Sequence, residues 1–206
     1  MGADQMHIET SAFAGLPTAA GRGHGIIATE RDALGIVRIT ARRAQMPNLA
    51  EILRANFGVD PPNALRRVSL GDVGIAAIAP HTWLATRENA GNAFAQSLQS
   101  LLGHCASVAD QSDAYVILGL VGSRVREMLA KLVPIDIHPR QFQVNDLAQT
   151  ICGYIGVILW RLEDSAEGDP VFELWAARSL AVSLHQAISN AAAEFGFVRE
   201  RGRRTA

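Results

Sequence analysis

Residues 131–142 read Lys-Leu-Val-Pro-Ile-Asp-Ile-His-Pro-Arg-Gln-Phe. Pro134 ends any helix before it, because proline has no N–H to donate and disfavours helical geometry in the preceding residue. Asp136, His138 and Arg140 alternate with apolar residues, and successive side chains of an extended chain point to opposite sides. The stretch therefore predicts a rigid, extended connection with one polar side, which is either a contact surface or a plain connector held by an ion pair.

The residues on either side of this stretch predict the order β-α-β-β-α. β-branched and aromatic residues dominate the predicted strands, and apolar residues recur at helical spacing in the predicted helices. The predicted elements are a strand at 115–121, a helix capped by Ser123, strands at 150–162 and 171–177, a helix at 180–195 capped by Ser179, and a further short strand at 197–198.

The first half of the chain predicts a similar order, β-α-β-β-α-β. Asn48 and Glu51 have the spacing of a capping box, in which two side chains bind free backbone N–H groups at a helix start. The predicted elements are a strand at 34–41, a helix that begins at Asn48 and ends at Gly58, hairpin strands at 67–70 and 73–79, a strand at 82–86, a helix at 90–102 and a strand at 105–109.

Together these orders predict an α+β fold of two ferredoxin-like split β-α-β units, each with helices on one face of an antiparallel sheet. The first unit is placed at 34–109 and the second at 110–198. Residues 1–33 are predicted to form an N-terminal arm, because the glycine cluster at 21–25 is not followed by the helix start that a phosphate-binding loop needs. Residues 199–206 are predicted to form a basic, solvated tail.

The composition argues against several classes of protein. Of 206 residues, 49% are hydrophobic and the formal net charge is −1, so neither nucleic acid nor an anionic membrane is expected as a partner. We expect no membrane span and no signal peptide, because no apolar run has the required length or flanks. Cys105 and Cys152 are predicted to be buried free thiols in a reducing compartment, which indicates a cytoplasmic protein.

The sequence predicts no catalytic, cofactor-binding or metal site. It has no Gly-x-Ser-x-Gly motif, and its six histidines are scattered without a His-x-x-x-His pair. General acid–base chemistry by Asp136 and His138 is chemically feasible, but we favour an ion pair that also includes Arg140.

Aromatic residues stand beside arginines near two predicted strand ends, at Trp160-Arg161 and from Trp175 to Arg178. Such pairs are enriched in protein interfaces and are equally common as core packing with an arginine that reaches solvent. Our candidates for interface or structural contacts are Asp136, His138, Arg140, Phe142, Trp160, Arg161 and Arg178.

The stretch from Pro134 to Phe142 resembles the gamma subunit of heterotetrameric sarcosine oxidase. Further segments support the resemblance, which covers about Leu65 to Gly196. They are Asp110-Gln-Ser-Asp-Ala-Tyr115, Val121-Gly-Ser-Arg-Val-Arg-Glu-Met-Leu-Ala-Lys131, Leu159-Trp-Arg161, Phe172-Glu-Leu-Trp-Ala-Ala-Arg-Ser179, Ser183-Leu-His-Gln-Ala187 and Ala192-Ala-Glu-Phe-Gly196.

This resemblance implies a non-catalytic subunit that supports assembly of an enzyme with alpha, beta and delta subunits. That enzyme demethylates sarcosine oxidatively to glycine, with formation of hydrogen peroxide and methylenetetrahydrofolate. FAD, FMN, NAD, zinc and tetrahydrofolate are expected on the partner subunits. The resemblance also implies a fold like the folate-binding domain of glycine-cleavage aminomethyltransferase, so a stand-alone folate-binding or aminomethyltransferase-like protein is the main alternative. A homo-oligomeric scaffold without a ligand is a third.

Overall fold

The computed structural model describes residues 11–63 and 65–201. The strands are β1 Ala19–Ala20, β2 Ile26–Glu30, β3 Gly35–Ala41, β4 Arg67–Leu70, β5 Val73–Ala79, β6 Thr82–Arg87, β7 Ala106–Asp110, β8 Tyr115–Val121, β9 Leu147–Cys152, β10 Ile155–Arg161, β11 Val171–Ala177 and β12 Phe197–Arg201. The helices are α1 Met46–Phe57, α2 Gly91–Leu102, α3 Val125–Ala130 and α4 Ala181–Ala192, and a 3-10 turn at Arg178–Leu180 precedes α4.

The strands form two sheets. The five-stranded sheet has the order β4-β5-β6-β3-β7, and all its neighbours are antiparallel. The seven-stranded sheet has the order β1-β12-β2-β8-β11-β10-β9, and β12 and β2 are the parallel pair among its described strands. The predicted α+β class with antiparallel sheets is confirmed.

The molecule has four layers, with the two sheets in the middle. Leu53 of α1 and Phe94 of α2 pack on the outer face of the five-stranded sheet, and Met128 of α3 and Leu184 of α4 pack on the outer face of the seven-stranded sheet. The two inner faces pack against each other. Their buried contact consists of Leu34, Ile36, Ala76, Leu84, Ile117, Leu147, Ile158, Trp160 and Trp175. The sequence predicted helices on one face of each sheet but not that each sheet covers the other.

The predicted N-terminal arm is wrong for the described residues up to Glu30, which belong to the seven-stranded sheet. β2 lies between β8 and β12, and its alternate residues Ile26, Ala28 and Glu30 are buried. Phe13 is fully buried in the core under α4. Gly21, Gly23 and Gly25 directly before β2 are typical of a loop, and the sequence pattern therefore favoured an arm here. Residues 1–10 lie outside the described residues.

The predicted basic tail also begins too early. β12 continues to Arg201 and pairs with β2. Arg199 is buried, and its Nη2 donates to the carbonyl oxygens of Phe13 at 3.1 Å and Leu16 at 3.3 Å. Residues 202–206 lie outside the described residues, and the division of the chain into domains at 34–109 and 110–198 stays a prediction.

The helix starts differ from those predicted. α1 begins at Met46, with Gln45 as its N-cap residue and no side-chain hydrogen bond at the cap. The predicted capping box at Asn48 is therefore wrong. α3 begins at Val125, without a cap from Ser123. The end of α1 is as predicted, because Gly58 has φ 67° and donates its N–H to the Arg54 carbonyl oxygen.

The predicted strand at 150–162 is a hairpin of β9 and β10. The chain reverses at Gly153, which has φ 63° and therefore the left-handed geometry that favours glycine, and at Tyr154. Because the turn is so short, the apolar residues before and after it form one continuous stretch in the sequence, which predicted a single strand. No helix among the described residues is long and apolar enough to cross a membrane.

Candidate interaction site

The connection between α3 and β9 places Asp136, His138 and Arg140 on the surface and buries Ile137, so the predicted alternation holds as far as His138. Beyond it the chain is not extended as predicted, because Pro139 is exposed and the N–H groups of Gln141 and Phe142 donate to the His138 carbonyl oxygen. The backbone N–H of His138 donates to Asp136 Oδ1 at 2.9 Å, and the backbone N–H of Arg140 donates to His138 Nδ1 at 3.3 Å. The predicted ion pair among the three side chains is not formed. The side chains of Asp136 and His138 fix the turn of the loop instead.

Phe142, at the end of this connection, belongs to a cluster around Phe172 of β11. The two rings are stacked, with centroids 6.3 Å apart and an interplanar angle of 6°. The guanidinium groups of Arg126 and Arg161 lie 5.0 and 5.3 Å from the centroid of the Phe172 ring. We call these four residues the Phe172 cluster.

The two arginines of the Phe172 cluster bind groups of this chain. Arg161 is 4% exposed, forms an ion pair with Asp164, and donates to the carbonyl oxygens of Leu162 and Val171. Arg126 donates to the Ile137 carbonyl oxygen, so it ties the connection to α3. Burial, together with the nearby charge of Arg161, lowers the pKa of Arg126. The cluster thus fastens residues 131–142 to the outer face of the seven-stranded sheet.

A second cluster lies between the two sheets. The ring centroids of Trp160 and Trp175 are 4.4 Å apart, and Trp175 Nε1 donates to Glu173 Oε2 at 3.1 Å. Arg31, just after β2, forms ion pairs with the buried Glu173 and the half-exposed Glu88. Burial acts to lower the pKa of Arg31, but the two carboxylates outweigh it and raise that pKa above its ordinary value.

Arg67 of β4 completes this second group, which we call the interlayer cluster: Arg31, Arg67, Glu88, Trp160, Glu173 and Trp175. The Arg67 guanidinium lies 5.4 Å from the centroid of the Trp160 ring. Sequence reasoning missed Arg31, Arg67 and Glu173. An available signal was the single carboxylate at position 173 within an otherwise apolar strand, two residues from Trp175 and therefore on the same face.

The structure divides the predicted contact residues among several places. It brings Phe142 and Arg161 together on the helical side of the seven-stranded sheet and places Trp160 on the opposite side, between the sheets. Arg178 is exposed at the start of the 3-10 turn, and its backbone N–H donates to the Ala114 carbonyl oxygen at 2.9 Å. A partner-binding role for any of these residues stays a prediction.

The two cysteines are buried free thiols, as predicted. Burial raises the pKa of Cys152 to about 11 and also raises that of Cys105, so both remain protonated and unreactive at neutral pH. His185 is buried with Nε2 2.8 Å from the Pro17 carbonyl oxygen, to which it donates, and burial lowers its pKa. Within residues 11–63 and 65–201, no three His, Cys, Asp or Glu side chains are grouped as metal ligands.

The surface of the described residues includes two mainly apolar clefts. A cleft of about 640 Å³ lies at the end of the five-stranded sheet and includes Leu65, Ile78 and Trp83. A cleft of about 770 Å³ runs beside α4, where Tyr154 is fully exposed and Leu180 is 38% exposed. The residues that line both clefts are mainly apolar and include no carboxylate.

Comparison with known sequences places these features in a family. The sequence profile of the "Sarcosine oxidase, gamma subunit family" matches residues 42–194. The chain is 38% identical over 113 residues to sarcosine oxidase subunit gamma of Corynebacterium sp. (strain U-96), which covers 53% of this chain and 54% of that relative. It is 31% identical over 111 residues to sarcosine oxidase subunit gamma of Arthrobacter sp., and the aligned region covers 53% of this chain and 55% of that relative. The chain thus aligns with about half the length of these curated relatives.

Solved structures share the fold. A chain of heterotetrameric sarcosine oxidase from Corynebacterium sp. U-96, in complex with pyrrole 2-carboxylate, matches with a TM-score of 0.71 and 25% identity, over 85% of this chain and 88% of that chain. Glycine cleavage system aminomethyltransferase T from Bartonella henselae matches with a TM-score of 0.59 and 12% identity, over 86% of this chain and 47% of that chain, which shows the fold alone. The profile match over most of the sequence shows that this chain belongs to the sarcosine oxidase gamma subunit family.

Proposed function

We propose that this chain is the gamma subunit of a heterotetrameric sarcosine oxidase and supports assembly of that complex without a reactive group of its own. The observation that carries the proposal is the structural match, at a TM-score of 0.71, to a chain of such a complex over 88% of that chain. The family match over residues 42–194 supports it independently.

In this proposal, the partners are the alpha, beta and delta subunits. The assembled enzyme demethylates sarcosine oxidatively to glycine and forms hydrogen peroxide and, with tetrahydrofolate, methylenetetrahydrofolate. FAD, FMN, NAD, zinc and tetrahydrofolate bind to the partner subunits. The cytoplasmic location expected from the sequence is part of the same proposal.

The contacts of the perturbed ionisable groups support a structural role. Arg31 is occupied by Glu173 and Glu88, and Arg126 is occupied by a backbone carbonyl oxygen. The raised pKa of the Cys152 thiol disfavours the thiolate that nucleophilic catalysis requires. Arg31 thus joins the two sheets and Arg126 holds the connection to α3, and the three groups do not converge on one cleft.

Co-expression with the three other subunits tests the proposal. We expect a tetramer that oxidises sarcosine, and we expect less assembled, active enzyme when this chain is left out. The measurements are size-exclusion chromatography of the purified complex and peroxide formation with sarcosine. If the other three subunits, expressed without this chain, oxidise sarcosine as well as the full complex does, the proposal is contradicted.

The alternative function, a stand-alone folate-binding or aminomethyltransferase-like protein, is tested on the isolated chain. Titration calorimetry with tetrahydrofolate distinguishes the two, because the subunit proposal places that cofactor on a partner. Binding at micromolar affinity or better, or transfer of a one-carbon unit by the isolated chain, would favour the alternative.

A further inference from the structure

Arg67 differs from the other arginines of the two clusters because its guanidinium has no hydrogen-bond acceptor in the described part of the chain. No described residue accepts a hydrogen bond from it or forms an ion pair with it, and its Nε is enclosed without a partner. Its contact on one side is the face of Trp160. A guanidinium carries five N–H donors, and donors removed from water without acceptors are costly. The enclosed Nε therefore lacks an acceptor, and the Nη groups have none among the described residues.

The nearby carboxylates are already engaged. Glu173 accepts from Arg31 with Oε1 and from Trp175 with Oε2, and Glu88 accepts from Arg31. They attract Arg67 only from a distance, and burial outweighs that attraction, so the pKa of Arg67 is lowered. The four charged residues balance in number, but the enclosed Nε of Arg67 has no acceptor among the described residues.

The chain makes room for this guanidinium. Gly74 of β5, which pairs with Ser69, has no Cβ, and a Cβ there would lie 2.9 Å from both Nε and Nη2 of Arg67 and 2.8 Å from Thr86 Oγ1. The position of Arg67 is thus fixed by the face of Trp160 on one side and by Gly74 on another. A side chain held in this way loses little conformational entropy when it binds.

The surroundings of Arg67 are only partly covered by this chain. β4 is the last strand of the five-stranded sheet, the Arg67 backbone N–H donates to the Asn145 carbonyl oxygen at 2.9 Å, and the Arg67 side chain is only partly buried. Its neighbours Leu65 and Arg66 are 49% and about half exposed, respectively. An arginine that is pre-positioned on an aromatic ring, next to an exposed apolar side chain, has the composition of an interface centre.

We propose that the Arg67 guanidinium receives an aspartate or glutamate carboxylate of another subunit of the complex, so that β4 lies in a subunit interface. The inference rests on the proposed function. A carboxylate is the expected group because its two oxygens match the fork of N–H donors and because its charge complements the guanidinium. A free carboxylate ion bound without any partner subunit is the competing outcome.

The substitution Arg67→Met tests the proposal, with Arg66→Met at the position just before β4 as the matched control. Arg66 is exposed and reaches Asp146 at 3.6 Å, a type of ion pair that contributes little. We expect Arg67→Met to weaken assembly with the co-expressed subunits by about 30-fold or more, measured by dilution and native mass spectrometry. Arg66→Met is expected to assemble like the wild type, and Arg67→Lys, which keeps the charge but not the fork, is expected to be intermediate.

Thermal unfolding of the isolated full chain separates an interface role from a structural one. Arg67→Met should leave the melting temperature unchanged or raise it, because it removes a buried donor group that has no partner. A lower melting temperature of the isolated Arg67→Met chain, or assembly of Arg67→Met equal to that of the wild type, would overturn the proposal. Binding of acetate to Arg67 of the isolated chain, in the absence of partner subunits, would also overturn it. If the wild-type chain itself does not assemble, the proposed function fails and this inference fails with it.

Discussion

Glu173 shows how one residue can join several parts of the fold. It is 1% exposed, and its two oxygens bind Arg31 from the segment after β2 and Trp175 from its own strand. A buried carboxylate is stable only when it is paired and hydrogen-bonded, so both partners are required. The residue therefore connects the N-terminal segment, the seven-stranded sheet and the contact between the sheets.

The substitution Glu173→Gln is expected to lower the free energy of unfolding by about 3 kcal/mol or more, because it leaves the Arg31 charge without its buried partner. Glu88→Gln removes the other, half-exposed carboxylate of the same arginine and is expected to cost about 1 kcal/mol or less. Urea unfolding of both variants gives the comparison. Equal losses in the two variants would show that burial of the carboxylate does not govern the stability of this cluster.

At the scale of elements, the sequence predicted those strands and helices whose pattern is local. The strands 115–121 and 171–177 have the predicted bounds because each is a long β-branched or aromatic run between turn residues. β2 was missed because the stability of a five-residue strand comes from neighbours that are distant in the sequence.

The predicted contact residues show the same limit. Phe142 and Arg161 do meet, but their shared ring, Phe172, was not identified, since the contact depends on how three segments fold together. Arg67 was missed for a related reason. Nothing in a local pattern shows that an arginine on a strand will lie over a tryptophan more than ninety positions away, without an acceptor.

The β9–β10 hairpin makes a prediction at this scale. Gly153→Ala is expected to lower the free energy of unfolding by about 1 kcal/mol or more, because alanine is strained at φ 63°. Gly156→Ala in the same hairpin is the control, since a Cβ there meets nothing within 4 Å and its φ is not positive. Denaturant unfolding measures both, and a loss at Gly156 equal to that at Gly153 would count against the role of the turn.

At the scale of the whole molecule, the contact between the sheets makes the two units depend on each other. Trp160 and Trp175 are each 1% exposed in this contact, so separation of the sheets would expose both indole rings to water. Burial of such a side chain contributes several kcal/mol. We therefore expect one cooperative unfolding transition rather than two.

The variant Trp83→Phe allows this expectation to be measured. Trp83 is buried under the helices of the five-stranded sheet, and its removal leaves the tryptophans between the sheets as the fluorescent reporters. Fluorescence should then report the sheet contact, while far-ultraviolet circular dichroism reports both sheets. Coincident midpoints are expected. A fluorescence change that precedes the loss of circular dichroism would show that the sheets separate before they unfold.

The parallel pairing of β2 with β12 has a consequence for synthesis. During translation, β2 leaves the ribosome early, whereas β12, its neighbour in the finished sheet, leaves near the end of the described chain. The five-stranded sheet is built from strands that are close together in the chain and can form while the ribosome is still working. The seven-stranded sheet can be completed only after β12 has been synthesised. Until then, the edge of β2 that pairs with β12 is free to form non-native strand pairs.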